Sequence, residues 1–187
     1  MINSFHARLN KLKDRLSSPE LVNNKGLGNE IGFYIFDYPA QFELDLRSHL
    51  DKTIRSIDRK IIQIDLFRLL LDYLTKRNLL SSAIDLQKNK GDDEMLRALK
   101  GPLDEEKRIA PEIEEILKDR DFDLVIIHGV GGCYPLIRVH RLLNCLQPIL
   151  KDKPLVVFYP GEYDGQRLSL FGRLSDDNYY RAFRLVA

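Results

Sequence analysis

The chain has 187 residues, with 29 basic and 28 acidic side chains, a formal charge of +1, 44% hydrophobic and 30% charged residues. These values fit one globular domain able to bury a full core; they exclude a disordered chain and any whole-protein field that would draw it to nucleic acid or anionic lipid. The longest apolar runs, Leu124-Val125-Ile126-Ile127 and Leu155-Val156-Val157-Phe158-Tyr159, fall far short of the roughly 20 residues of a bilayer-spanning helix, so no membrane span is expected.

Phe5, Leu9, Leu12 and Leu16 recur at helical spacing and predict an N-terminal amphipathic helix within residues 1–22, stopped at Pro19. Its mixed charges, Arg8, Lys11, Lys13 and Asp14, lack the apolar centre of a signal peptide. Cys133 and Cys145 form no Cys-x-x-Cys pair, and a reduced cytoplasmic location is expected. Residues 23–29 are dense in Asn and Gly and read as a linker.

Phe33-Tyr34-Ile35-Phe36 is apolar on both faces and predicts a strand covered on both sides. Phe42, Leu46, Leu50, Ile54 and Ile57 mark a helix, and residues 60–65 a second strand, completing a βαβ unit. Leu66, Leu69, Leu70, Tyr73 and Leu74 mark another helix. Residues 78–110 read as a helical insert broken at Gly101-Pro102. Pro111 and the glutamates after it open a further helix. A third strand, Phe122 to Ile127, runs into His128-Gly129-Val130-Gly131-Gly132, and a helix from near Pro135 is ended by Pro148. Pro154 to Tyr159 predicts a fourth strand stopped by a Pro160-Gly161 turn. Asp164-Gly165 predicts a hairpin into Leu168–Phe171, and Arg181 to Val186 a last strand.

The whole spans residues 1–187 as one α/β domain: a three-layer αβα arrangement with a mostly parallel sheet of about five strands and a C-terminal hairpin. The strand order resembles that of P-loop ATPases, yet the phosphate-binding loop is missing. After Phe36 the chain reads Asp37-Tyr38-Pro39-Ala40-Gln41-Phe42, without the glycines and Gly-Lys-Ser/Thr that hold triphosphate and Mg²⁺. No ATP hydrolysis is expected.

Ligands of open parallel sheets bind beyond the carboxyl ends of the strands, which here carry Asp37, Asp65, His128 and Glu162. If those strands are neighbours, three carboxylates and an imidazole converge on one edge, a set able to hold a divalent cation or move protons. Alternatively the strands simply exit to solvent there, and Asp65 caps the helix that follows. Gly129, Gly131 and Gly132 lie where backbone amides could cradle a phosphate, or where a tight turn packs helix against sheet. Cys133 near His128 and His140 permits a Cys–His pair, and no G-x-S-x-G elbow occurs. A non-catalytic role is the leading expectation, with no cofactor or bound metal, and the alternative is a nucleotide- or metal-dependent enzyme using Asp37, Asp65, His128 and Glu162 at the sheet edge. Local basic groups, Arg55, Arg59 and Lys60, or Arg138 and Arg141, are the places where DNA could be touched, although the near-neutral charge argues against direct nucleic-acid binding. The closing segment mixes Tyr163, Asp164 and Arg167 with Tyr179, Tyr180 and Arg181, residue types favoured in protein interfaces and equally in edge strands that cover a core.

Taken together, Phe33-Tyr34-Ile35-Phe36-Asp37-Tyr38-Pro39, Ile64-Asp65-Leu66, His128-Gly129-Val130-Gly131 and Tyr134-Pro135-Leu136-Ile137-Arg138 resemble the BrxB family of bacterial BREX phage-defence systems. Phe158-Tyr159-Pro160-Gly161-Glu162-Tyr163-Asp164-Gly165, Leu170-Phe171-Gly172 and Asp177 to Leu185 are similar to that family's C-terminal signature, so the likeness runs over roughly residues 30–186. The resemblance implies a small component of a system that marks host DNA by adenine methylation and blocks phage replication; with the absent phosphate loop and the aromatic, charged C-terminal region it points to a non-catalytic adaptor. It implies PglZ, an alkaline-phosphatase-like protein, as direct partner, with a methyltransferase and a large ATPase as further neighbours.

Overall fold

The structure, a computed structural model, describes residues 2–22, 32–175 and 182–186. The expected linker at 23–29 therefore lies outside the described residues. In chain order the strands are β1 (Phe33–Tyr38), β2 (Ile61–Asp65), β3 (Leu124–His128), β4 (Leu155–Tyr163), β5 (Leu168–Leu170), β6 (Leu174–Ser175) and β7 (Phe183–Arg184). Five of them form a parallel sheet in the order β2, β3, β4, β1, β7, while the end of β4 turns into an antiparallel ribbon with β5 and β6.

The central strands are apolar without a break because each is covered on both faces. Phe33, Ile35, Val125, Ile127, Leu155 and Val157 belong to one core. That core is closed by α5 (Leu66–Lys76), α6 (Leu80–Lys90), α7 (Asp92–Leu99), a π-helical turn Glu105–Ile109, α8 (Ala110–Leu117) and α9 (Val139–Leu150). The alternate residues Tyr34, Phe36, Leu124, Ile126, Val156 and Phe158 point the other way, into a core closed by α1 (Ile2–Asn10), α2 (Leu12–Ser17), α3 (Pro19–Val22) and α4 (Glu43–Arg55). The period-two alternation of the strands thus sorts the side chains between two helical layers.

The expected elements are present, and the boundaries differ where a local signal meets tertiary structure. The N-terminal helix is broken at Lys11, whose amide donates to the Arg8 carbonyl at 3.1 Å in a 3-10 fashion. Pro19 opens α3 instead of only ending a helix, since its missing N–H costs nothing at a first position. α9 begins at Val139, later than expected: the Glu105 carboxylate, 33 residues away, accepts the Arg138 amide at 2.9 Å at its N-terminus. It also runs past Pro148 to buried Leu150, because a proline in the last turn forfeits a single hydrogen bond.

The expected turn at Pro160-Gly161 is instead strand. Pro160 still registers with Tyr38 of β1, and Gly161 pairs with Leu170 of β5. β5 comes so close that a Cβ on Gly161 would collide with the Ser169 carbonyl. The hairpin forms at Asp164-Gly165 as expected, with the Asp164 carboxylate accepting the amides of Gln166 and Arg167, each at 2.7 Å.

Gly161→Ala is expected to lower stability by about 1–3 kcal/mol through this overpacking. Gly101→Ala, where nothing lies within 4 Å of the added carbon, is expected to stay within about 0.5 kcal/mol of wild type. Urea midpoints at constant slope measure both.

Candidate functional site

β4 separates β1 from β3, so the four sheet-edge residues do not converge. Among the described residues no group of three or more His, Cys, Asp or Glu side chains is placed to hold a metal ion. Asp65 and His128 are register partners on adjacent strands, Asp37 belongs to a separate cluster across β4, and Glu162 is exposed on the hairpin.

The first cluster lies between the sheet edge and α4. Glu43 and Arg47 stand one turn apart on α4, and the guanidinium bridges two carboxylates, at 2.7 Å to Glu43 Oε1 and 2.7 Å to Asp65 Oδ2. The Tyr38 hydroxyl donates to the other Glu43 oxygen, and burial with that neighbouring carboxylate raises the phenol's pKa. Asp65 also caps α5 by accepting the Arg68 amide at 3.1 Å.

His128 is buried beside this pair. Its Nε2 lies 2.8 Å from the Gln63 amide nitrogen, which also donates to Asp51 at 3.2 Å. With that amide as donor, Nε2 must accept and Nδ1 carries the proton, facing Asp65 Oδ2 at 3.9 Å, too far for a hydrogen bond. Among the described residues Nδ1 has no hydrogen-bond partner. Desolvation holds the imidazole pKa below its ordinary 6.5, only partly offset by Asp65, so the ring is neutral at pH 7.

The second cluster is centred on Asp37, whose carboxylate is buried. Arg8 of α1 donates to its Oδ1 at 2.6 Å and to its carbonyl at 2.9 Å. The same guanidinium reaches the Val186 carbonyl at 3.2 Å and stacks on Phe36 at 4.7 Å. Asp37 Oδ2 accepts the Tyr163 amide at 3.1 Å and lies 3.9 Å from Arg184. One carboxylate therefore touches the N-terminal helix, the hairpin and the C-terminal strand.

The glycine turn is filled rather than open. Gly129 is left-handed (φ +73°), and a side chain there would run into the Asp65 carboxylate. A phosphate in that space would meet negative charge. A Cβ on Gly131 would sit 2.9 Å from Pro160 and 3.1 Å from Phe171, and one on Gly132 would sit 3.0 Å from Phe67. Cys133 is buried, donates to the Gly129 carbonyl at 3.4 Å and has its pKa pushed up by burial to about 12, which leaves a neutral thiol rather than a nucleophile.

Of the closing residues, Asp164 and Arg167 are exposed, but Tyr163 is 2% exposed and packs in the core. Its hydroxyl lies 2.7 Å from the Ala182 carbonyl and 2.9 Å from that of Gly165. Its side chain anchors the hairpin and offers no surface. Tyr179, Tyr180 and Arg181 lie outside the described residues. Among the basic groups, Lys60 is paired with Asp121, and Arg141 lies 3.7 Å from Glu105. No helix among the described residues is long and apolar enough to cross a membrane.

The residues missing from the sequence reading are the cations. The Glu43/Arg47 spacing was a visible helical i,i+4 pair. Arg8 had no local signal, since its partners are 29 and 178 residues away.

Fold and site together define a three-layer α/β protein with a parallel sheet whose edge carboxylates are bound by cations from the covering helices. A family model described as "BREX protein BrxB" matches residues 62–185. A "BREX protein BrxB" of Escherichia coli O9:H4 (strain HS) is 39% identical over 181 residues, covering 96% of this chain and 90% of that protein. Another of Bacillus cereus (strain H3081.97) is 38% identical over 191 residues, covering 97% of each. The chain belongs to the BrxB family, components of BREX phage-defence systems. No solved structure matches it.

Arg8→Met leaves the buried Asp37 carboxylate without its main counter-charge and is expected to cost about 3 kcal/mol, read from denaturant unfolding. His128 adds a pH signature. Its folded pKa lies below 6.5, so below that pH the unfolded chain binds the proton first and stability falls as pH drops. His128→Gln is expected to flatten the decline below pH 6.5 relative to wild type, as followed by urea midpoints.

Proposed function

We propose that the chain is a non-catalytic adaptor of a BREX complex that binds the alkaline-phosphatase-like PglZ and so supports host DNA methylation and phage restriction. Two features support a structural role over chemistry at the sheet edge. Asp37 and Asp65 are each held by fixed guanidinium and backbone amide donors, which lower the energy of the folded state and leave little capacity for an incoming ligand. The neutral, buried Cys133 thiol and neutral His128 do not form a nucleophile–base pair.

The observation that carries the binding role is an aromatic lip at the carboxyl end of the sheet. Phe67 from α5 and Phe171 from the hairpin flank Gly131 and Gly132, and they remain 37% and 42% exposed. Tyr134, two residues beyond Gly132, is 51% exposed. Phe171 sits at φ +57°, a left-handed backbone that costs a bulky residue about 1–3 kcal/mol and that clusters at binding surfaces. Rigid aromatic side chains bury large area at small entropic cost and are enriched at the centres of interfaces.

Co-expression with the other proteins of the same BREX system tests this. The tagged chain is expected to retain PglZ at moderate salt, and Phe67→Ser with Phe171→Ser to reduce retention at least about tenfold. A wild-type chain that captures none of the BREX proteins would rule the adaptor out.

A further inference from the structure

The helical region at 78–110 forms one wall of a groove of about 310 Å³. The other wall is the segment leading into α9. The floor is leucine and proline: Leu96, Leu99 and Leu103 from one side, Pro135 and Leu136 from the other. Around it stand four cations, Arg97, Lys100, Arg138 and Arg141, against two acids, Asp104 and Glu105.

Both acids are already committed. The Asp104 carboxylate accepts the amides of Glu106 at 3.1 Å and Lys107 at 2.8 Å, holding the π-helical turn. Glu105 is buried, accepts the Arg138 amide at 2.9 Å and faces Arg141 at 3.7 Å. Arg97 has an exposed partner, Glu94, at 2.8 Å, a kind of pair that contributes little. Among the described residues neither the Lys100 ammonium nor the Arg138 guanidinium has an ion-pair partner. Both are exposed at the rim. The rim thus carries uncompensated positive charge above an apolar floor.

We propose that this groove is a docking site for an acidic, leucine-bearing segment of a partner protein. The volume lies at the small end of the roughly 300–1,000 Å³ usual for ligand sites and suits a few aliphatic side chains of a peptide. The carboxylates flanking those side chains meet Lys100 and Arg138, which sets orientation and speeds encounter. A nucleic acid fits less well. No aromatic ring lines the groove for a base to stack on, and the Glu105 carboxylate at its wall repels phosphate. The groove shares no residue with the aromatic lip, so one chain can hold two partners, as an adaptor must. The proposal rests on the adaptor reading only in drawing its occupant from the same system.

The test uses the full chain and a Lys100→Glu/Arg138→Glu variant, whose exposed positions leave the core untouched. Overlapping peptides of about 15 residues, covering the partner proteins of the same BREX system, are titrated against both by fluorescence anisotropy. At least one peptide rich in Asp or Glu and carrying leucine-sized residues is expected to bind in the micromolar range. The double reversal is expected to weaken it at least about tenfold at equal salt, with unchanged thermal unfolding. Leu96→Ala, which trims the floor and leaves the charged rim as it is, is expected to weaken the same peptide.

Binding indifferent to these substitutions, no binding up to about 100 μM, a preference for basic peptides, or a duplex DNA probe lost on the same reversal each overturns the proposal. Whole-protein capture separates the two readings. Partners retained equally by wild type and the double reversal leave the adaptor standing and remove the groove. Partners retained by neither remove the adaptor, and the peptide titration still decides the groove.

Discussion

Asp37 is the point on which the N- and C-terminal parts of the chain meet. It sits near the end of β1, the strand paired with β4 on one side and β7 on the other. Its buried carboxylate is shared among Arg8 of α1, the Tyr163 amide at the end of β4 and Arg184 of β7. A buried ionised carboxylate is costly unless donors surround it, so each of these elements contributes to the stability of the others. Arg15 repeats the arrangement one layer outward, donating to the Leu185 carbonyl at 3.0 Å. The two-residue strand β7 pairs with β1, and the residues that follow it, Leu185 and Val186, are buried in the core with their carbonyls bonded by arginines from the opposite end of the chain.

The Asp65 cluster does the same for the other half of the sheet. Arg47 links α4 to β2, and Asp65 links β2 to α5 through the helix cap. Both clusters lie where an open parallel sheet usually binds its ligand. Here Asp37 and Asp65 are engaged in internal contacts, and Phe67, Tyr134 and Phe171 are exposed in the region.

The sandwich of helices around a parallel sheet was legible because the apolar runs of β1, β3 and β4 and the helical stripes between them are strong local patterns. The hairpin was legible from Asp164-Gly165. The neighbour order was not. That β4 lies between β1 and β3, keeping Asp37 from Asp65, is a tertiary fact that no spacing reports. Pro160 and Gly161 misled as turn residues because their strand conformation is imposed by partners on β1 and β5. Tyr163 carried the composition of an interface residue and is in fact a core anchor. The groove beside α9 was invisible because its charges come from segments about 40 residues apart whose meeting depends on the Glu105 contact.

The claim that Asp37 is a structural tie can be measured directly by native-state hydrogen exchange on wild type and Asp37→Asn, which removes the charge and keeps the shape. Protection is expected to fall together at the Tyr163 amide, at the Leu185 amide that donates to Ile35, and along α1 and α2. Loss confined to the Tyr163 amide, with the terminal elements protected as before, would contradict it.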